Sequence, residues 1–178
     1  FDDAGDPTGA ELTILYDGDQ DLQRTLRSPD NLDWADDGYI YIQEDRANGD
    51  LFASQANKNE ASIVRLDPDA PGGDPLRIAE INRDVVVPEG TTDSRPDTVG
   101  AWETSGILDV SELFDKDPGT LFIFDVEAHS IRDGMIEEKG LVEGGQLAFL
   151  NVNHRETDAI LVDDTMDAET VDDALMIA

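Results

Sequence analysis

Ser28-Pro29-Asp30-Asn31-Leu32-Asp33-Trp34-Ala35-Asp36-Asp37-Gly38-Tyr39-Ile40-Tyr41-Ile42-Gln43-Glu44-Asp45 is the stretch that decides how this chain folds. It reads as strand, acidic turn, strand. Asp36-Asp37-Gly38 supplies the tight turn, because Gly accepts positive φ and Asp bonds its own backbone. Tyr39-Ile40-Tyr41-Ile42 is aromatic and β-branched, which suits a pleated, packed surface. The spacing predicts strands over residues 31–34 and 39–44, with carboxylates at both ends of the pair.

Outward from this hairpin the rhythm repeats. Residues 11–16 (ELTILY) are a short strand candidate, followed by an acidic loop over 17–21 and a helical turn or coil over 22–27. After a polar loop over 46–60, residues 61–66 (ASIVRL) alternate like a strand. Asp67-Pro68-Asp69-Ala70-Pro71-Gly72-Gly73-Asp74 is a turn, and residues 76–81 (LRIAEI) alternate again. From residue 31 to residue 81 this gives four consecutive strands, and such a meander is the unit of a propeller blade. The second half supplies candidates over 105–110, 119–126, 145–152 and 158–162. The expected fold is therefore all-β, with about two blades of a β-propeller. Blade-like segments span residues 28–83 and 100–162, a linker loop 84–99 and an acidic tail 163–178, in which 167–176 could form a short helix. Closed propellers have about four to eight blades, and two leave open edges. Companion chains then complete the ring, or the chain is a piece of a larger propeller, or the meanders pack as a sandwich. The larger propeller is the favoured reading.

The 178 residues, 39% hydrophobic, suffice for one domain with a real core. Forty-two acids against twelve Lys and Arg give a formal net charge of −30. Self-repulsion at that density opposes compaction. Bound divalent cations relieve it, and so does high ambient salt, as in a marine or halophilic protein. Nucleic acid and anionic membranes are poor partners, since phosphate contacts need Lys and Arg. No cysteine is present, so disulfides and thiolate metal sites are excluded within the chain. No stretch reaches the roughly 18 apolar residues of a membrane span. The chain opens on Phe1 without a signal peptide, which reads as a processed product or a piece of something longer.

Four acidic clusters are candidate sites. Asp17-Gly18-Asp19-Gln20-Asp21 has oxygens at alternate positions, which hard cations favour, but Leu22 stands where an EF-hand needs Gly. A different calcium loop or a solvated turn remains. In the second cluster, Asp30 and Asn31 sit at one end of the hairpin and Glu44 and Asp45 at the matching end of its partner strand. Antiparallel pairing brings those ends together, as a ligand set or as a turn rich in solvated acids. In the third, Glu103 lies between Trp102 and Thr104, a carboxylate whose burial costs unless a cation or donors compensate. From the residues alone the plainer reading is an ordinary Glu at the start of a strand, with Trp102 in the core. In the fourth, Asp125, Glu127 and His129 alternate and so share a face. Carboxylate and imidazole suit a transition metal or a general acid–base pair, and a lone exposed His is the simpler reading. Glu143-Gly144-Gly145-Gln146 is a weaker case, because the Gly pair argues for a turn. No P-loop and no Gly-x-Ser-x-Gly elbow occurs, so hydrolysis would be metal-assisted.

Three of these segments, in order, resemble one family. Ser28-Pro29-Asp30-Asn31-Leu32 with Asp37-Gly38-Tyr39-Ile40-Tyr41-Ile42-Gln43-Glu44-Asp45 is similar to the SPDNL…DG-x-L-x-I-x-x-D segment of PhoX-type alkaline phosphatases. The segment from Gly100 to Gly106 is similar to that family's Glu-x-Thr-Gly element, and Glu127-Ala128-His129 to an acid-or-amide and His pair after the next strand. The resemblance covers residues 28–146. It implies a secreted, extracellular or periplasmic, calcium-dependent β-propeller phosphomonoesterase with iron alongside calcium and a phosphate ester as substrate. By the same resemblance Glu103 is a metal ligand, with Asp30, Asn31, Glu44, Glu127 and His129 as further metal candidates. Two departures stand out: Ser105 intervenes before Gly106, and the family's cysteine, Arg and Glu elements upstream have no counterpart here. The expected function is thus a fragment of such an enzyme, completed by the remainder of the propeller. The alternative is a calcium-stabilised, non-catalytic extracellular binding or structural module.

Overall fold

The hairpin forms where the sequence places it. In the computed structural model, which describes residues 3–21, 25–45, 58–84 and 88–152, β1 (Pro29–Trp34) pairs antiparallel with β2 (Ile40–Glu44). Leu32 stands opposite Ile42 and Trp34 opposite Ile40. Ala35 closes the turn: its N–H donates to the Tyr39 carbonyl and its carbonyl accepts from Gly38 N–H, both at 3.0 Å. Gly38 sits at φ +90°, where a side chain would be strained, and the Asp37 carboxylate accepts the Tyr39 N–H at 3.0 Å.

The meander continues through β3 (Ser62–Leu66) and β4 (Leu76–Glu80), giving a four-stranded sheet in the order β1-β2-β3-β4. A second sheet contains β5 (Glu103–Asp109), β6 (Leu121–Ala128) and β7 (Gly144–Asn151) in that order. Every named pairing is antiparallel. A 3-10 turn (Glu112–Phe114) and one turn of helix, α1 (Met135–Glu138), are the helical pieces among the described residues. The protein is all-β.

Alternation explains how the sheets pack. β2 is buried on both faces. Ile40 and Ile42 join Leu26, Val64 and Leu66 on one side. Tyr41 turns to the other side and meets Ile63, Ile107, Phe122 and Val152, so this cluster draws on both sheets. The Tyr41 and Phe122 rings lie 4.3 Å apart. A second shared cluster joins Ala61 and Ile81 to Ala101, Trp102, Ala128, Ile131 and Ile136. Gln43, fully buried, ties the sheets through its side chain. Its Nε2 donates to the Ser105 carbonyl at 3.0 Å and its Oε1 accepts the Ile107 N–H at 2.9 Å. Those two backbone groups flank Gly106, at φ +63° in the bulge between Ser105 and Leu108, where β5 leaves its ladder with β6.

Residues 11–16 do not form the expected strand. Leu15 and Tyr16 pack onto the Leu26, Ile40 and Ile42 cluster, while Leu12 is 92% exposed. The segment packs by side chains onto that face of the first sheet and meets the 67–74 turn, where the Gly72 N–H donates to the Leu15 carbonyl at 2.8 Å, instead of joining a ladder. The turn over 67–74 is present, with Ala70 N–H bonded to the Asp67 carbonyl and Gly73 N–H to that of Ala70. Of the linker loop, residues 88–99 are described. Ser94 N–H donates to the Ser130 carbonyl at 2.9 Å, and Asp93 bridges to Ile131. Arg83, its side chain only 7% exposed, reaches Glu60 at 3.1 Å and Asp93 at 2.6 Å, and also binds the Arg95 and Thr98 carbonyls. The strand expected over 158–162, the acidic tail over 163–178 and its short helix lie outside the described residues.

Candidate metal centre

Glu103 opens β5, and its register partner on β6 is Glu127. Residues directly opposite in an antiparallel pair present their side chains on one face. The other face is fixed by burial: Trp102, Thr104 and Ala128 are buried, and Val126 packs against the same core. The acids are therefore turned outward. His129 follows β6 directly, two residues beyond Glu127, and returns to that side. Its backbone is held from both flanks. Ala128 is buried, and the buried Ser130 accepts the Trp102 indole N–H at 2.7 Å while donating to Asp93.

The result is a cluster in which one ligand atom from each of Glu103, Glu127 and His129 lies within 4.8 Å of the others. His129 Nε2 stands 3.0 Å from Glu103 Oε2, and Nδ1 stands 2.6 Å from Glu143 Oε1. Arg132 donates from Nη2 to Glu143 Oε2 at 3.1 Å and from Nε to the His129 carbonyl at 2.9 Å. The Glu127 side chain makes no hydrogen bond or ion pair among the described residues. Burial alone would lower the His129 pKa; hydrogen bonds and charge from Glu103 and Glu143 outweigh it, and the net shift is upward. Without a cation, the imidazolium itself offsets the crowding of carboxylates.

The donor chemistry separates broad classes of ion. One imidazole nitrogen with two carboxylates suits a transition ion, since imidazole serves zinc, copper, iron and nickel alike. Calcium prefers an all-oxygen shell of six to eight ligands, which this cluster does not supply. The residues present thus fit a transition ion better than calcium.

Of the six metal candidates read from the sequence, three come together: Glu103, Glu127 and His129. The other three do not join them. Glu44 is fully buried beneath the first sheet, and its carboxylate is occupied. It accepts the Arg27 N–H at 2.6 Å, Arg27 Nε at 3.0 Å, Arg27 Nη2 at 2.9 Å and the Ser62 N–H at 3.0 Å. Pairing does bring β1 and β2 ends together, Pro29 opposite Glu44, but the Glu44 side chain turns to the face that holds Arg27. Asn31 instead donates to Asp30 at 2.6 Å and to Ser105 Oγ at 3.2 Å, linking the edge of the first sheet to β5. In the 17–21 loop, Asp17 accepts from Asp19 N–H and Gln20, and Asp21 from the Tyr16 hydroxyl and Thr25 N–H. Asp125 stays beside Gly106, where a Cβ would run into Asp125 Oδ1. Sequence reading underweighted Glu143, because the following glycines dominated it. The signal available was its place just before β7, whose first residue, Gly144, pairs with Ala128 beside His129.

Comparison with known protein families, with curated proteins and with solved structures finds no match for this chain.

Proposed function

We propose that this protein belongs to an extracellular, metal-dependent phosphomonoesterase-like β-propeller, with Glu103, Glu127 and His129 as its metal ligands. The observation that carries the reading is the convergence of those three side chains on one face of the second sheet. Two consecutive antiparallel meanders with a shared core support the propeller architecture. The rest of the ring is then the partner, from the same parent or from companion chains. Glu103, Glu127 and His129 would hold a cation, which when bound would supply Lewis-acid polarisation of a phosphoryl oxygen. Glu103 and Glu127 contribute the negative charge that retains it, and His129 contributes a nitrogen once Nε2 is deprotonated.

The test is hydrolysis of p-nitrophenyl phosphate by the intact protein, with iron and calcium supplied and then removed by chelation. Release of p-nitrophenolate that needs metal and falls at least tenfold in Glu103→Gln is expected. Stoichiometric metal binding with no turnover would eliminate the enzyme and leave the second reading, a calcium-stabilised binding or structural module. That second reading is favoured by one observation, the net charge of −30.

A further inference from the structure

We infer that Glu143 is the positioning residue of this metal centre, selecting which nitrogen of His129 faces the ion. The inference rests on the metal-ligand reading above. His129 has two ring nitrogens, and only one of them can face Glu103 and Glu127. Glu143 Oε1, 2.6 Å from Nδ1, accepts the proton there. Nε2 is thereby directed toward the Glu103 carboxylate, 3.0 Å away, and into the cluster. Glu143 is itself oriented, because Arg132 Nη2 holds its second oxygen at 3.1 Å. Arg132 also clasps the His129 carbonyl from Nε, so one guanidinium sets both the carboxylate and the backbone of the residue it orients. A carboxylate behind a ligating imidazole fixes the tautomer and raises the basicity of the nitrogen that binds metal.

The geometry is built by the fold and not by side-chain length alone. Glu143 directly precedes β7, whose register against β6 places Gly144 opposite Ala128. Gly144 packs within 3.2 Å of the Ile131 side chain measured from the Cβ it lacks, so a larger residue there would push the strand start away from His129. The Gly144 N–H also donates to the Ile131 carbonyl at 2.8 Å, fastening the segment that carries Glu143 to the loop that carries His129 and Arg132.

The experiment loads the full chain, in its His154→Asn form so that His129 is the sole histidine, with zinc as a diamagnetic probe. Calorimetry reads affinity, and long-range proton–nitrogen correlation of the imidazole reads the tautomer. Zinc coordination through Nε2 with a retained Nδ1 proton is expected. Glu143→Ala should weaken zinc binding by about 10–100-fold and allow the other tautomer. Glu143→Gln keeps the shape and an acceptor oxygen, and should fall between. If Glu143→Ala does not fold, Glu143→Gln decides the matter by the same two readouts. Unchanged affinity and an unchanged tautomer in the variant, with His129 still ligating, would overturn the role of Glu143 and leave the metal centre standing. No coordination by His129 in the parent would overturn both.

Discussion

Glu44 and Arg27 form an ion pair with both side chains fully buried, and among the described residues the carboxylate meets two guanidinium nitrogens and two backbone N–H groups. Such a pair is a poor source of net stability but is costly to break, since the surviving charge stays buried. Glu44→Gln should therefore lose about 3 kcal/mol in urea denaturation while leaving zinc affinity unchanged; a loss of zinc binding instead would return Glu44 to the metal centre. His129 makes a prediction of opposite sign to the usual carboxylate. Its folded-state pKa is raised above the ordinary 6.5 because Glu103 and Glu143 outweigh its burial. The stabilisation is complete below pH 6.5 and is lost as pH rises through the raised value. In chelator-treated protein, the stability difference between the parent and His129→Gln should shrink as pH climbs from 6 toward alkaline values. A difference that grows over that range would show that the imidazolium is not what the carboxylates hold.

Between the elements, Gln43 does the work of a missing ladder. The bulge at Gly106 takes β5 out of register with β6, and the side-chain amide of β2 satisfies the Ser105 carbonyl and the Ile107 N–H in its place. Gln43→Leu keeps the volume and strands both groups. Each buried unpaired group costs about 1–3 kcal/mol, so a loss of about 2–4 kcal/mol in thermal or urea melts is expected. A near-neutral effect would mean that the two sheets are held by Tyr41, Ile107 and Phe122 packing alone. These cases also show what the sequence could carry. Seven of the expected strands are found because alternation and turn residues are local signals, and Asp36-Asp37-Gly38 states its turn in three residues. Residues 11–16 have the same alternation, but Leu15 and Tyr16 pack onto a face of the first sheet instead of pairing, and no local pattern reports that choice. The site was legible where parity was enough: Glu127 and His129 share a face by spacing, and Glu103 meets them by register. Asp30, Asn31 and Glu44 lie apart from that cluster: the ladder is irregular between Pro29 and Leu32, and the buried Arg27 takes the Glu44 carboxylate. Glu143 was only a weak candidate and Arg132 none, because their meeting with His129 is a property of the β6–β7 connection.

For the molecule as a whole, 42 acidic side chains against 12 basic ones set the response to salt. Screening weakens repulsion among exposed carboxylates, so the melting temperature should rise as sodium chloride is added. Millimolar calcium at matched ionic strength separates general screening from specific binding, because a bound ion stabilises according to its concentration relative to Kd. A melting temperature that falls with sodium chloride would sink the view that charge crowding limits this fold. Calcium doing no more than matched sodium chloride would leave the stabilised-module reading without its main support. The Arg83 clamp has a different consequence at the same scale. Its guanidinium is spoken for by Glu60, Asp93 and two carbonyls of the 88–99 segment, and its side chain is 7% exposed. A trypsin-like protease must take that guanidinium into its own specificity pocket before it can cut after Arg83. Scission there is possible only during the moments when the clamp lets go, so the rate of that one cleavage is a clock for the release of the 88–99 segment from Arg83.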